Sequence, residues 1–197
     1  INSSSSSSSS SSTIQTPYEN ESPLHEAIEK DEDLHVGLPS TGDVKVLVIP
    51  VEIGNDKFSD KDLEKINLAF NGNSLETGYE SVSSYYNKCS QGKLNIEATI
   101  TPVFNTGKTQ NYYESGYLFG RDIDYEILDN SLSLLEEIYD LSEYDYNKDS
   151  YIDGIYLIYS CDYSMDETSP WWAWCADYSQ NTNTYDGLKT NLFVWAS

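Results

Sequence analysis

The chain has 197 residues, with 33 Asp and Glu against 11 Lys and Arg, and a formal net charge of -22. Such a surface repels nucleic-acid phosphates and anionic lipid, so nucleic acid is excluded as a partner, and no run of about 18 apolar residues is present to span a bilayer. The length fits one domain plus a leader, and 17 Tyr with 4 Trp and one Met suit a secreted or cell-surface domain in an extracellular, cation-rich setting.

Ser3 to Ser12 is an unbroken serine tract. Polar low complexity buries too little apolar surface to offset its ordering entropy, so the tract reads as a tether, with an export signal and an anchor expected upstream. Residues 1–37 are read as a disordered, Ser-rich and acidic leader, with a short helix at Leu24 to Lys30, and residues 38–197 as the folded domain. Leu38-Pro-Ser-Thr-Gly42 fits the L-P-x-T-G sorting pattern. It lacks the apolar tail and basic end such a signal needs, and its Pro and Gly mark a loop.

Val44 to Val51 is an apolar, β-branched run bounded by Gly42 and Gly54, which predicts a strand buried on both faces. Ser59 with Asp62 forms a capping-box variant, and Leu63, Ile66, Ala69 and Phe70 recur at helical spacing up to Asn71-Gly72. A second helix is predicted from Tyr79 to Cys89. Leu94, Ile96, Ala98 and Ile100 alternate with polar residues, the period of a strand with one wet face, and Pro102 places it at a sheet edge. Asn105 to Arg121 reads as a long loop, and Ile123 to Ile138 as an amphipathic helix with Glu136, Glu137 and Asp140 at its end. Ile155 to Ser160 and Leu188 to Trp195 read as two further strands.

Between that long helix and the strand at Ile155 lies Asp145-Tyr-Asn-Lys-Asp-Ser-Tyr-Ile-Asp-Gly154. Asp145, Asn147, Asp149 and Asp153 occupy positions 1, 3, 5 and 9 of an oxygen-ligand calcium loop, and Tyr151 stands where such a loop offers a backbone carbonyl. Carboxylates crowded this closely repel one another, and a hard divalent ion removes the repulsion. Ile152 is placed to anchor the loop to a core and Gly154 to let the backbone turn. Ser150 replaces the usual glycine at position 6 and Tyr156 the usual acid at position 12, so weak extracellular affinity of ~10⁻⁴ to 10⁻³ M is expected. A solvated acidic turn is the alternative reading.

Trp172 and Trp174 alternate in an extended segment and put two rings on one face. They are candidates for lining a substrate groove, with core packing as the competing use. Cys89, Cys161 and Cys175 allow one bridge (Cys161 with Cys175) or three thiols, and their spacing fits no zinc knuckle.

Taken together, Gly42 to Val51, Glu80-Ser-Val-Ser-Ser-Tyr-Tyr86, Gly92-Lys-Leu-Asn95, Asp145 to Ile158, Trp172-Ala-Trp174 and Val194-Trp-Ala-Ser197 resemble the front half of a secreted bacterial zinc metallopeptidase of the immune inhibitor A family. The resemblance spans about Leu38 to Ser197. It implies an α/β (α+β), zincin-like fold: a twisted mixed sheet backed by helices, incomplete in this chain, with the active-site helix following its last strand. It also implies a polypeptide substrate held along a sheet edge. The family's H-E-x-x-H motif supplies two zinc-binding histidines one helical turn apart and a glutamate base. This chain has only His25 and His35, neither in that motif, so no catalytic residue is assigned. Calcium is expected in this chain, and zinc only in a longer parent of which it is the amino-terminal part. The competing function is a calcium-stabilised extracellular binding module, for carbohydrate or protein, without catalysis.

Overall fold

The computed structural model describes residues 37–162, 164–165, 169–178, 181–190 and 192–197. The serine tract, the helix expected at Leu24 to Lys30 and both histidines lie outside the described residues. The remaining residues form a mixed α/β domain around a six-stranded, mostly parallel sheet.

β1 (Gly42–Glu52) is the sheet's spine. It pairs in parallel with β2 (Leu94–Ile100) on one side and β5 (Ile155–Tyr159) on the other, and its end also pairs with the short β3 (Phe104–Asn105). β8 (Leu192–Ala196) adds in parallel to β5, and β6 (Trp174–Asp177) adds antiparallel to β8. The order is therefore β2-β1-β5-β8-β6, with the one antiparallel strand at an edge. A separate two-stranded parallel sheet joins β4 (Tyr151–Ile152) to β7 (Lys189–Thr190).

Side-chain alternation along β1 builds two cores. Val44, Val46 and Val48 face one side with Leu94, Ile96, Ala98 and Phe70, beneath α1 (Asp60–Asn71) and α3 (Val82–Cys89). A short α2 (Ser74–Thr77) links those two helices. Leu47, Ile49, Val51 and Ile53 face the other side with Leu157, Phe193 and Trp195, beneath α4 (Gln110–Leu118) and α5 (Ile123–Leu135). The first face is unevenly covered. On β8, Phe193 and Trp195 are buried, but Val194 and Ala196 on the α1 side are only half-buried. Among the described residues no helix lies over them, and a crevice of about 620 Å³ runs between α1 and the end of β5, lined in part by Ile66, Phe70 and Ile158.

Several elements differ from expectation. The region read as a loop from Asn105 to Arg121 contains α4, capped by the Thr109 hydroxyl accepting from Tyr112 N, with Tyr113 and Gly116 buried. Its sequence has no helical apolar period; packing of Tyr113 against Trp171, rings 6.4 Å apart, holds it in place. The helix expected from Tyr79 begins at Val82, where Ser81 accepts from Ser84 N at 3.1 Å. α5 stops at Leu135 rather than reaching Ile138. The strand read from Leu188 to Trp195 is two strands in two sheets, β7 and β8. Gly154 is buried and is not among the positive-φ glycines. A Cβ there would meet Val46 Cγ1 at 2.7 Å, so close approach is what requires glycine.

Candidate functional site

A 3-10 turn, Leu141–Tyr144, leads into the acidic loop and fixes its entrance: Leu141 and Tyr144 are buried, and the Tyr144 hydroxyl bonds to Thr99 Oγ1 at 2.8 Å. Asp145 follows, only 4% exposed. Its Oδ1 accepts from Asp149 N and its Oδ2 from Ser150 N, both at 3.1 Å, so the carboxylate closes the loop on itself. Asn147 Oδ1 also accepts from Asp149 N, while Asn147 Nδ2 donates to Asp149 Oδ2 at 3.0 Å. Asp149 Oδ1 accepts from Tyr151 N at 2.9 Å, and Asp153 Oδ2 accepts from Tyr146 N at 2.6 Å.

The sequence thus places Asp145, Asn147, Asp149 and Asp153 in one hydrogen-bonded turn, with Tyr151 opening β4 and Ile152 buried as the anchor. Ser150 adopts φ 71 and Lys148 φ 62, the left-handed region that a glycine at position 6 serves without cost. Lys148 donates to Ser142 O at 3.1 Å. Burial first, then the negative charges of Asp149 and Asp145, push the Asp153 carboxyl up to about 6. Among the described residues no three carboxylate, thiol or imidazole groups form a ready metal cage. The oxygens are instead occupied by backbone amides. The side-chain donors at these positions are all oxygen, three carboxylates and one amide, the type that hard cations take.

Trp172 and Trp174 are both half-buried. Trp172 sits at the bend before β6, half-buried, because the strand begins only at Trp174. Trp174 turns toward α5, where Nε1 donates to Asp124 Oδ2 at 3.1 Å and its ring packs 6.3 Å from Trp195. Trp171 is core, 2% exposed, with Nε1 donating to Glu114. All three cysteines are unpaired; Cys161 lies in the core, where burial pushes its thiol up to about 12, and Cys175 is exposed on β6.

Two further constellations hold β6 and were not foreseen from spacing. Tyr125 of α5 stacks on Tyr178, centroids 4.0 Å apart, and its hydroxyl donates to Asp177 O at 2.9 Å. One turn further along α5, the Asp129 carboxylate accepts from the hydroxyls of Tyr178 (3.2 Å) and Tyr185 (2.6 Å) and from the amides of Asn181 (3.4 Å) and Asn183 (2.9 Å). Burial and the Asp129 charge push the Tyr178 hydroxyl up to about 12. The partners are about 50 residues apart in the chain, so only the abundance of tyrosine hinted at them.

No protein-family profile matches the chain, and no curated protein sequence does either. No helix among the described residues is long and apolar enough to cross a membrane.

Proposed function

We propose that this chain is the amino-terminal part of a secreted or surface-attached zinc metalloendopeptidase acting on polypeptides, with the 145–153 loop as a structural calcium site. The observation that carries this reading is the uneven cover of the sheet. A helix following β8, as the resemblance to immune inhibitor A implies, would have the half-buried Val194 and Ala196 to pack on, beside Tyr156 and Ile158 at the margin of the α1 core. The sheet order supports it as well, because a mixed sheet ending in one antiparallel strand offers an edge along which an extended polypeptide can add by main-chain hydrogen bonds. Calcium would be held by Asp145, Asn147, Asp149 and Asp153 with the Tyr151 carbonyl, and it would supply charge neutralisation to the turn. Zinc would bind outside this chain. The binding-module alternative draws less support, since of the three clustered tryptophans Trp171 is buried and Trp174 is engaged by Asp124.

The test is the coding sequence beyond Ser197. An H-E-x-x-H motif in the segment directly following β8, and zinc-dependent proteolysis by the longer product, are expected. A stop codon there, or a longer product that retains zinc without cleaving protein, overturns the enzymatic reading.

A further inference from the structure

We propose that the outward face of α4 holds a single carboxylated sugar at the end of an otherwise neutral glycan. The site uses neither the acidic loop nor a sheet edge, so it stands apart from the peptidase reading.

The face is a hollow of about 480 Å³, lined along α4 by Thr109, Asn111, Tyr112, Ser115 and Phe119 and closed at one end by Arg121. Gly116 gives it its floor: a Cβ there would meet Arg121 Nη1 at 2.9 Å, and without one the guanidinium lies against the helix. Arg121 Nη2 donates to the Tyr112 hydroxyl at 2.9 Å and to Glu126, and the guanidinium stands 4.5 Å over the Tyr112 ring. The turn after α4 is tied down as well. Gly116 O accepts from Phe119 N and Arg121 N, both at 3.0 Å, and Gly120 N donates to Tyr117 O at 2.9 Å. Phe119 therefore has a fixed backbone while its side chain is 89% exposed. A ring held open at a set place costs a ligand little ordering to use.

Charge selects among ligands. In a chain of net charge -22, this hollow has no Asp or Glu in its lining among the described residues. Glu114, the acid of α4, is taken up by Trp171 Nε1 and Gln110 Nε2, both at 2.9 Å. The hollow on the other side of Arg121 is the opposite, with Asp122, Glu126, Asp129 and Asp177 in its lining. Lys108 Nζ lies 5.2 Å from the Tyr112 ring centre and has no ion-pair partner among the described residues. With Arg121 offset by Glu126, Lys108 leaves this face one positive charge, which matches one carboxylate. A polyanion would meet the field of the whole chain and is disfavoured.

The uncharged groups fit a sugar better than an acidic peptide. The side chains of Asn111 and Ser115 make no hydrogen bond among the described residues, which leaves an amide and a hydroxyl for the hydroxyls of a sugar ring. Phe119 offers a flat apolar surface for the ring's C–H face. A glutamate side chain would engage Lys108 and leave these groups unused.

Calorimetric titration of the whole chain with sialyllactose, with lactose as the uncharged control, tests the site. A Kd of about 1 mM is expected for sialyllactose and binding about tenfold weaker for lactose. Lys108→Gln should bring sialyllactose down to the lactose level and leave lactose unchanged, and Arg121→Gln should do the same. Phe119→Ala should weaken both sugars about tenfold. Lys108 and Phe119 are exposed, so their variants read the site even where Arg121→Gln fails to fold, with far-UV circular dichroism as the check. Lactose binding as tightly as sialyllactose, or undiminished binding by Phe119→Ala, overturns the assignment. So does an N-acetylated glutamate peptide that binds as tightly as sialyllactose, or the absence of saturable binding at about ten times the expected Kd.

Discussion

The two edges of the sheet are finished in different ways. At β2 the outward backbone groups are closed by side chains: Asn71 Nδ2 donates to Ala98 O at 2.8 Å, Asn71 Oδ1 accepts from Ala98 N at 3.0 Å, and the Ser83 hydroxyl donates to Ile96 O at 2.5 Å. Asn71 here imitates the peptide group of a neighbouring strand. At β6 the Tyr125 hydroxyl reaches the strand's backbone from outside, at Asp177 O. An open edge invites pairing with another chain, and proteins usually blunt such edges unless they are used. The proposed function assigns an extended polypeptide to β6 rather than to β2, whose outward groups Asn71 and Ser83 already engage.

The largest expected effect comes from opening the acidic loop. Asp145→Ala removes a buried carboxylate that satisfies two backbone amides, and hydrogen bonds to charged groups are worth about 1.5 to 3 kcal/mol each. A loss of about 3 kcal/mol in urea unfolding is expected, together with loss of any calcium-induced rise in Tm. A loss near zero would mean that the loop is a solvated turn. Next in size is Asn71→Ala, which unseals β2 and should cost about 1 to 2 kcal/mol. It should also promote self-association, visible by light scattering, because it opens the β2 edge. If the variant stays monomeric and equally stable, the contrast between the edges is not real. The corresponding deletion at the other edge, Tyr125→Phe, removes one hydroxyl and keeps the ring stack, so a loss of only about 0.5 to 1 kcal/mol is expected.

How much of this was legible in the sequence depends on the range of the interactions. β1 and β5 announce themselves as apolar runs, β2 by its period of two, and α1 by Ser59 and Asp62, which form the expected reciprocal cap. The acidic loop is legible for the same reason: Asp145 reaches residues four and five ahead, so its spacing encodes its shape. The break between β7 and β8 was also present but unread. Leu188 and Thr190 are buried at even positions and Phe193 and Trp195 at odd ones, a change of phase that one continuous strand cannot accommodate. α4 left no such trace; its Gly116 serves the Arg121 side chain, which packs 2.9 Å from where a Cβ would be. Asn71 with Ala98, and Asp129 with its four donors, join residues 27 to 56 apart. No local pattern encodes such pairs.

The brace on β6 also carries a pH signature that β2 lacks. Asp124 sits in the first turn of α5, is buried, and accepts from Trp174 Nε1; burial holds its carboxyl above the ordinary value of 3.8. Because the folded-state value exceeds the unfolded one, the native state binds this proton more tightly. The ionised group therefore costs stability at neutral pH, and the cost is relieved as pH falls through the raised value. Asp124→Asn keeps an oxygen for the indole and removes the charge. The stability of the variant relative to wild type should thus increase as pH rises from 4 to 7, measured by denaturant unfolding at each pH, while Asn71→Ala should show no such trend. A flat difference would mean that the carboxylate is solvated through the β6 side.

The smallest effect leaves stability unchanged and reads accessibility alone. The cysteines happen to be distributed so that Cys175 reports on β6, Cys89 on the end of α3 beside β2, and Cys161 on the core between α4 and the sheet. The thiolate is the reactive form, and with the Cys161 thiol pushed up to about 12 and buried, that residue should be silent in the native protein. A thiol reagent should label Cys89 and Cys175 in the native state and all three after denaturation. If the proposed function holds, a strand-forming peptide added in excess should slow labelling at Cys175 and leave Cys89 unaffected, since the β2 edge is already engaged by Asn71 and Ser83. Equal slowing at both thiols would place the peptide elsewhere and remove the distinction between the edges.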